Sequence, residues 1–192
     1  MIITKNDLLG EKERYSKEIM KGAIFLHPTD TINGIGCNAM HDGSVKLLRE
    51  IKANPNNPFS VIAPSKDWIL ENCIVPRHAK KWLDKLPGPY TLVLRLKNRQ
   101  AVSRHVNPND DTIGVRIPKH WIAEFVRFVG VPVITTSPNR LGEEYSTDIE
   151  ELHPDIYNNT SFFIYENDGE KSPSDIVILT GKKPKIIKRN LR

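Results

Sequence analysis

The apolar pattern of this chain keeps changing its period. Short runs of consecutive apolar residues, each stopped by a proline or a polar loop, alternate with stretches in which apolar residues recur at helical spacing. With no internal repeat and no low-complexity stretch, that alternation confines the chain to an α/β or mixed α+β fold. At 192 residues the length suits one domain. A chain of this size buries roughly 70% of its unfolded surface, so its core needs no disulfide or metal.

The spacing predicts a first helix over about Asn6 to Lys21, closing on Gly22, and then a buried strand, Ala23 to His27, stopped by Pro28. Ser44, Leu47, Leu48 and Ile51 mark a helix. The turn Asn54-Pro55-Asn56-Asn57-Pro58 separates it from a strand at Phe59 to Ala63. Ser65 reads as a helix cap, and Pro76 as the first position of a helix carrying Ala79, Trp82, Leu83 and Leu86 on one face. Strands follow at Tyr90 to Leu96 and Thr112 to Ile117. Pro118 is expected to open a helix that buries Ile122, Phe125, Val126 and Val129. Further strands are expected at Val131 to Thr135, Phe162 to Tyr165, Asp175 to Leu179 and Lys185 to Lys188, with a short helical stretch near Thr147 to Leu152. No linker marks a second domain.

In open α/β sheets ligands sit where strands hand over to polar loops. One such loop is Pro28-Thr29-Asp30-Thr31, followed by Asn33, Gly34 and Gly36. Its hydroxyls, carboxylate and glycine-freed amides suit a small zwitterion or a phosphate. A plain turn, with Asp30 bonding its own backbone, is the competing interpretation. A second loop is Thr135-Thr136-Ser137-Pro138-Asn139, followed by Gly142 and Ser146-Thr147; it suits phosphate oxygens or a base edge, or else a simple cap. Lys52 lies near a helix end, and Arg116 interrupts a strand pattern, where a cation needs an anionic ligand or a carboxylate.

There is no GxxxxGK[ST] loop, no GxGxxG, no HExxH and no GxSxG, which excludes the commonest nucleotide, metal and hydrolase signatures. The six histidines lack ligand spacing, and Cys37 and Cys73 read as small buried hydrophobes. No apolar run of membrane-spanning length occurs and the first residues are charged, so a cytoplasmic protein is expected. The net charge of +5 favours phosphate-bearing partners, although much of the excess lies in the tail, at Lys182, Lys183, Lys185, Lys188, Arg189 and Arg192.

Together these stretches resemble the YrdC/TsaC family, the threonylcarbamoyl-AMP synthases. Residues 26–39, LHPTDTINGIGCNA, are similar to the family's YPTDTxYGLGxxA. Leu86 to Thr91 is similar to PGPxT, Val115-Arg116-Ile117-Pro118 to VRxP, and Ser137 to Gly142 to SANxSG, in the same order. The resemblance covers about residue 15 to the C-terminus. It implies one YrdC-like domain over residues 1–192, core about 15–190: a twisted mixed open sheet with flanking helices, a basic concave cleft and no additional C-terminal domain.

The resemblance also implies a reaction in which L-threonine, bicarbonate and ATP, with Mg²⁺, give threonylcarbamoyl-adenylate and pyrophosphate. A separate transferase complex would pass the product to tRNA, and no metal ligand is implied in the chain. Thr29, Thr31 and Asn33 would hold threonine. Lys52 and Arg116 would serve catalysis and bind nucleotide together with Ser137, Asn139, Ser174 and Lys188. The chain departs from the family pattern at His27, Asn33, Asn54, Pro138, Asp175 and the ending Lys188-Arg189-Asn190. At Asn54 the family carries a second cation two residues after the first. A non-catalytic module binding tRNA or double-stranded RNA fits the charge and the missing cation, and a third possibility is a paralogue acting on another carbamoyl or carboxylate substrate.

Overall fold

The computed structural model describes residues 1–145, 149–164, 166 and 172–189. Eleven strands are found among them: β1 (Ile2–Ile3), β2 (Phe25–His27), β3 (Gly34–Gly36), β4 (Ser60–Ile62), β5 (Cys73–Ile74), β6 (Tyr90–Leu96), β7 (Thr112–Arg116), β8 (Val133–Thr135), β9 (Phe162–Ile164), β10 (Asp175–Ile178) and β11 (Lys185–Ile187). The helices are α1 (Lys5–Gly10), α2 (Lys12–Met20), α3 (Asp42–Ile51), α4 (Lys66–Asn72), α5 (Lys80–Leu83), α6 (Ile122–Val129) and α7 (Pro154–Asn158). None is long and apolar enough to cross a membrane.

The strands form two segments, in the orders β1-β9-β2-β3 and β11-β10-β6-β7-β4-β8, with β5 on β6. An antiparallel seam joins β3 to β8. Ile35 and Thr136 exchange backbone hydrogen bonds of 2.7 and 3.1 Å, and Ile134 N donates to Cys37 O at 2.9 Å. The result is the expected mixed open sheet. The seam leaves no room beside Gly36, where a Cβ would lie 1.6 Å from the Ile134 carbonyl oxygen.

Adjacent residues along a strand point to opposite faces. Leu26, Val61, Ile134 and Phe163 accordingly enter one buried apolar cluster, and their neighbours Phe25, Ile62, Val133 and Phe162 enter another. Both faces of the sheet are therefore covered. Tyr15 and Ile19 of α2 and Phe125 and Val126 of α6 belong to the second cluster. Beyond it, the same face carries Ser60, Gly114 and Thr135 in register, and a cleft opens there.

Several boundaries differ from the periodicity. The first helix is broken in two at Glu11, just after Gly10, a residue that weakens a helix interior by roughly 1 kcal/mol. Pro76 precedes a 3₁₀ turn, Arg77–Ala79, before the four-residue α5. Pro118 does not open α6, which starts at Ile122, because the Lys119 amide donates instead to Asp30 Oδ2 at 2.8 Å. The stretch Ile149–Leu152 is turn rather than helix; Thr147, like Tyr165, lies outside the described residues. The helix there is α7, capped by His153.

Arg49 organises the turn between α3 and β4. Its guanidinium donates to the carbonyls of His105, Asn54, Asn57 and Val106 at 2.5–3.1 Å and lies 4.4 Å from the Phe59 ring centroid. Arg49→Met preserves side-chain bulk but strips four carbonyls of a donor, so a loss of about 2–3 kcal/mol in urea unfolding is expected. A loss under 0.5 kcal/mol would mean that water replaces the guanidinium.

Candidate active site

The cleft is lined by Asn33 and Gly34 after the Pro28–Thr31 loop, Ser60, Thr91, Arg116, Thr135 to Ser137, Ser174 and Arg189. Strand parity builds it. Thr91 pairs with Ile176, Ser60 with both Gly114 and Thr135, and all lie on one face. The floor is small and hydroxylated. A Cβ at Gly114 would meet Ser60 Oγ at 2.7 Å, and one at Gly34 would meet Thr135 Oγ1 at 2.7 Å and the His27 ring at 2.6 Å.

Arg116 is the buried cation of the cleft. It donates from Nη1 to Thr31 Oγ1 at 2.8 Å and from Nη2 to Asp30 Oδ1 at 2.5 Å, and its Nε has no partner among the described residues. Burial pulls its pKa down, Asp30 opposes that, and the nearby Arg189 adds to it. Asp30 therefore does not cap its own turn; it holds Arg116 and the Lys119 amide. Thr29 Oγ1 donates to Ile32 O at 2.8 Å, accepts from Thr31 N at 3.0 Å and contacts Thr31 Oγ1 at 3.1 Å. The two threonines support Arg116 and the loop from behind, and neither lines the cleft.

Lys52, at the C-terminal end of α3, is buried and donates to the carbonyls of Ser137 and Asn139. Leu141 N donates to Lys52 O at 2.9 Å, so the hydroxyl-rich loop is bolted to α3. Desolvation lowers the Lys52 pKa to about 8. Asn139 donates to Glu143 O at 2.8 Å and leaves its Oδ1 unpartnered among the described residues. Tyr145 Oη accepts from Asn33 N at 3.0 Å, joining the two loops; the hydroxyls of Ser146 and Thr147 lie outside the described residues. Behind them His27 is fully buried, and desolvation takes its pKa down to about 4, so it stays neutral.

Asn54 holds a turn, accepting from Asn57 N at 2.9 Å, and it brings nothing to the cleft. Arg49 is consumed by carbonyls and Lys46 is exposed. The tail supplies the second cation instead. Ile176 pairs with Ile187 in the antiparallel β10–β11 ladder, and extending that register by two residues sets Arg189 opposite Ser174. Arg189 donates to Ser174 O at 2.9 Å and to Ser174 Oγ at 3.1 Å, and Ser174 Oγ lies 2.8 Å from Thr91 Oγ1. Lys188 has the opposite parity, is exposed, and lies outside the cleft. Of the residues singled out from sequence, Asn33, Arg116, Ser137 and Ser174 line the cleft. Thr29, Thr31, Lys52 and Asn139 form the layer behind it. Ser60, Thr91 and Arg189 were missed; their signal is the alternation along strands whose pairing the sequence does not state.

Among the described residues no carboxylate lines the cleft, and no group of three His, Cys, Asp or Glu side chains could hold a metal ion. The donors among the described residues do not fit a protein-held Mg²⁺.

Residues 17–190 match a family model described as Telomere recombination, covering Sua5, YciO and YrdC. A Methanocaldococcus jannaschii protein provisionally named a threonylcarbamoyl-AMP synthase is 34% identical over 164 residues, 81% of this chain and 76% of that protein. A threonylcarbamoyl-AMP synthase of Xanthomonas oryzae is 28% identical over 142 residues, 71% of this chain and 75% of that one. Among solved structures, P. abyssi Sua5 complexed with L-threonine superposes with a TM-score of 0.83 at 26% identity, covering 98% of this chain. This chain spans 57% of that Sua5 chain. E. coli YciO shares the fold, with a TM-score of 0.82 at 21% identity over 99% of this chain and 94% of that one.

Proposed function

The chain belongs to the Sua5/YciO/YrdC family, and from that premise we propose that it is an L-threonylcarbamoyladenylate synthase, consuming L-threonine, bicarbonate and ATP and releasing pyrophosphate. The observation that carries the proposal is the meeting of Arg116 and Arg189 over a floor of hydroxyls, with no carboxylate among the described residues of the lining. Such a cleft is built for anions.

The neutral threonine amine attacks the carbon of bicarbonate, and loss of the elements of water leaves a carbamate. A carbamate oxygen then attacks the α-phosphorus while the bond to the β-phosphate oxygen breaks, and pyrophosphate leaves. No enzyme nucleophile is required. The protein contributes position and charge neutralisation. Arg116, fixed by Asp30 and Thr31, turns its guanidinium charge toward the threonine carboxylate or the carbamate, with Asn33 alongside. Arg189 and the hydroxyls of Ser137 and Ser174 take the phosphates. Lys52 and Asn139 hold the Ser137 loop in place. Mg²⁺ travels with ATP, and the product is handed to a tRNA-modifying transferase.

The test is pyrophosphate release with ATP and Mg²⁺, expected only when threonine and bicarbonate are both present. Absence of release under those conditions rejects the synthase. Arg189→Ala is expected to weaken ATP at least tenfold, as loss of a charge-assisted bond implies, while Lys188→Ala stays within twofold. The reverse ranking would restore the sequence-based choice of Lys188.

A further inference from the structure

A second cavity, of about 410 Å³, opens on the other side of the loop that carries Asp30's partner amide. Pro87, Ile117 and Pro118 form its apolar wall, and Lys66, Lys119 and Arg127 bring cations to it. Among the described residues the one carboxylate in the lining, Glu124, is 3.7 Å from Arg127 and answers that charge. Glu166 is occupied by His120 Nε2 at 3.0 Å and Trp121 Nε1 at 2.5 Å, and Asp30 by the Lys119 amide and Arg116. Among the described residues neither Lys66 nor Lys119 is in an ion pair; Lys66 Nζ has the Asp84 carbonyl at 3.5 Å. The cavity thus keeps two ammonium groups that form no ion pair among the described residues, beside an apolar wall.

We propose that this cavity is a second anion site that takes a phosphate-bearing nucleotide, free or within an RNA chain. Ammonium groups on flexible stems meet phosphate oxygens as point charges, and proline and isoleucine surfaces accept a base or ribose face. The synthase chemistry has no use for it. The site nevertheless touches the cleft, because Asp30 binds the Lys119 amide with one oxygen and Arg116 with the other. Bound phosphate at Lys119 lies one carboxylate away from the guanidinium that faces the cleft.

The test uses Arg189→Ala protein, in which the cleft is weakened, and adds Lys66→Ala with Lys119→Ala. Both lysines are surface side chains outside the apolar clusters, and the Lys119 backbone bond survives the change. AMP is titrated calorimetrically and a labelled RNA hairpin by anisotropy. Loss of both lysines is expected to weaken the bound species about tenfold and to lower its salt slope by about two. AMP binding without hairpin binding identifies a free nucleotide as the ligand, and hairpin binding displaced by AMP identifies RNA; both support the site. Isotherms unchanged by the lysine substitutions, or no binding of either probe, overturn it. The pyrophosphate assay rests on the first cleft alone, so either conclusion can fail without the other.

Discussion

Arg116→Met is expected to reduce threonine-dependent pyrophosphate release at least 100-fold, the scale seen when one preorganised donor to a developing charge is removed. Its loss also leaves Asp30, with a side chain only 12% exposed, facing the Lys119 amide alone. An uncompensated carboxylate there should lower stability by a few kcal/mol, so lost activity by itself would prove little. Pairing the change with Asp30→Asn separates the effects. The double variant should recover most of the stability and none of the activity. Arg116→Lys should remain impaired, since one ammonium cannot serve Thr31, Asp30 and a ligand as a fork does. Activity within tenfold of the parent in stable Arg116→Met protein would remove Arg116 from the chemistry.

Among the described glycines, Gly36→Ala should be the most damaging change. The new carbon would sit 1.6 Å from the Ile134 carbonyl oxygen, a backbone atom that cannot swing aside. The β3–β8 seam must open to admit it, at a cost of about 4 kcal/mol or more, the range reserved for overpacked backbone contacts. Opening the seam also parts Asn33 and Gly34 from Thr135 and Ser137, so any folded remnant should bind nucleotide weakly. Gly142 is the control. Its φ is 89° but a Cβ there meets nothing within 4 Å, so Gly142→Ala should cost only about 1 kcal/mol of backbone strain. Urea midpoints decide it: if both variants unfold within 1 kcal/mol of each other, the seam is pliable and the argument from close approach is lost.

The contrast between those two glycines shows what was legible in advance. The loop pattern points to Gly34 and Gly36 as freeing amides for a ligand, yet the structural need is closeness, of one strand to another at Gly36 and of a histidine ring at Gly34. Loops and local caps were readable because their partners are near in sequence: Ser65 accepts from Trp68 N, and Lys52 closes α3. Which of two adjacent cations faces the cleft was not readable. Lys188 and Arg189 differ only in parity, and parity is set by pairing between β11 and β10. The same holds for Ser60 and Thr91, ordinary strand residues until four strands align. Asn54 is the opposite case. The resemblance marks its position as one where the family carries a cation; in the structure Asn54 holds a turn, and a cation reaches the cleft from the far end of the described chain, at Arg189.

The order of strands has a consequence for how the molecule comes to be. Phe25 and Leu26 pair with Phe162 and Phe163, and Thr91 with Ile176, so the partners that close each segment of the sheet are far apart in the chain. Long loops must close before those contacts repay their entropy, which puts folding of such topologies in the millisecond-to-second range. A growing chain would carry β2 unpaired on one flank until β9 emerged, with Phe25 and Leu26 on show. Speed of maturation, rather than final stability, is where this architecture is exposed, and chaperones acting on the unfinished chain would find their substrate there.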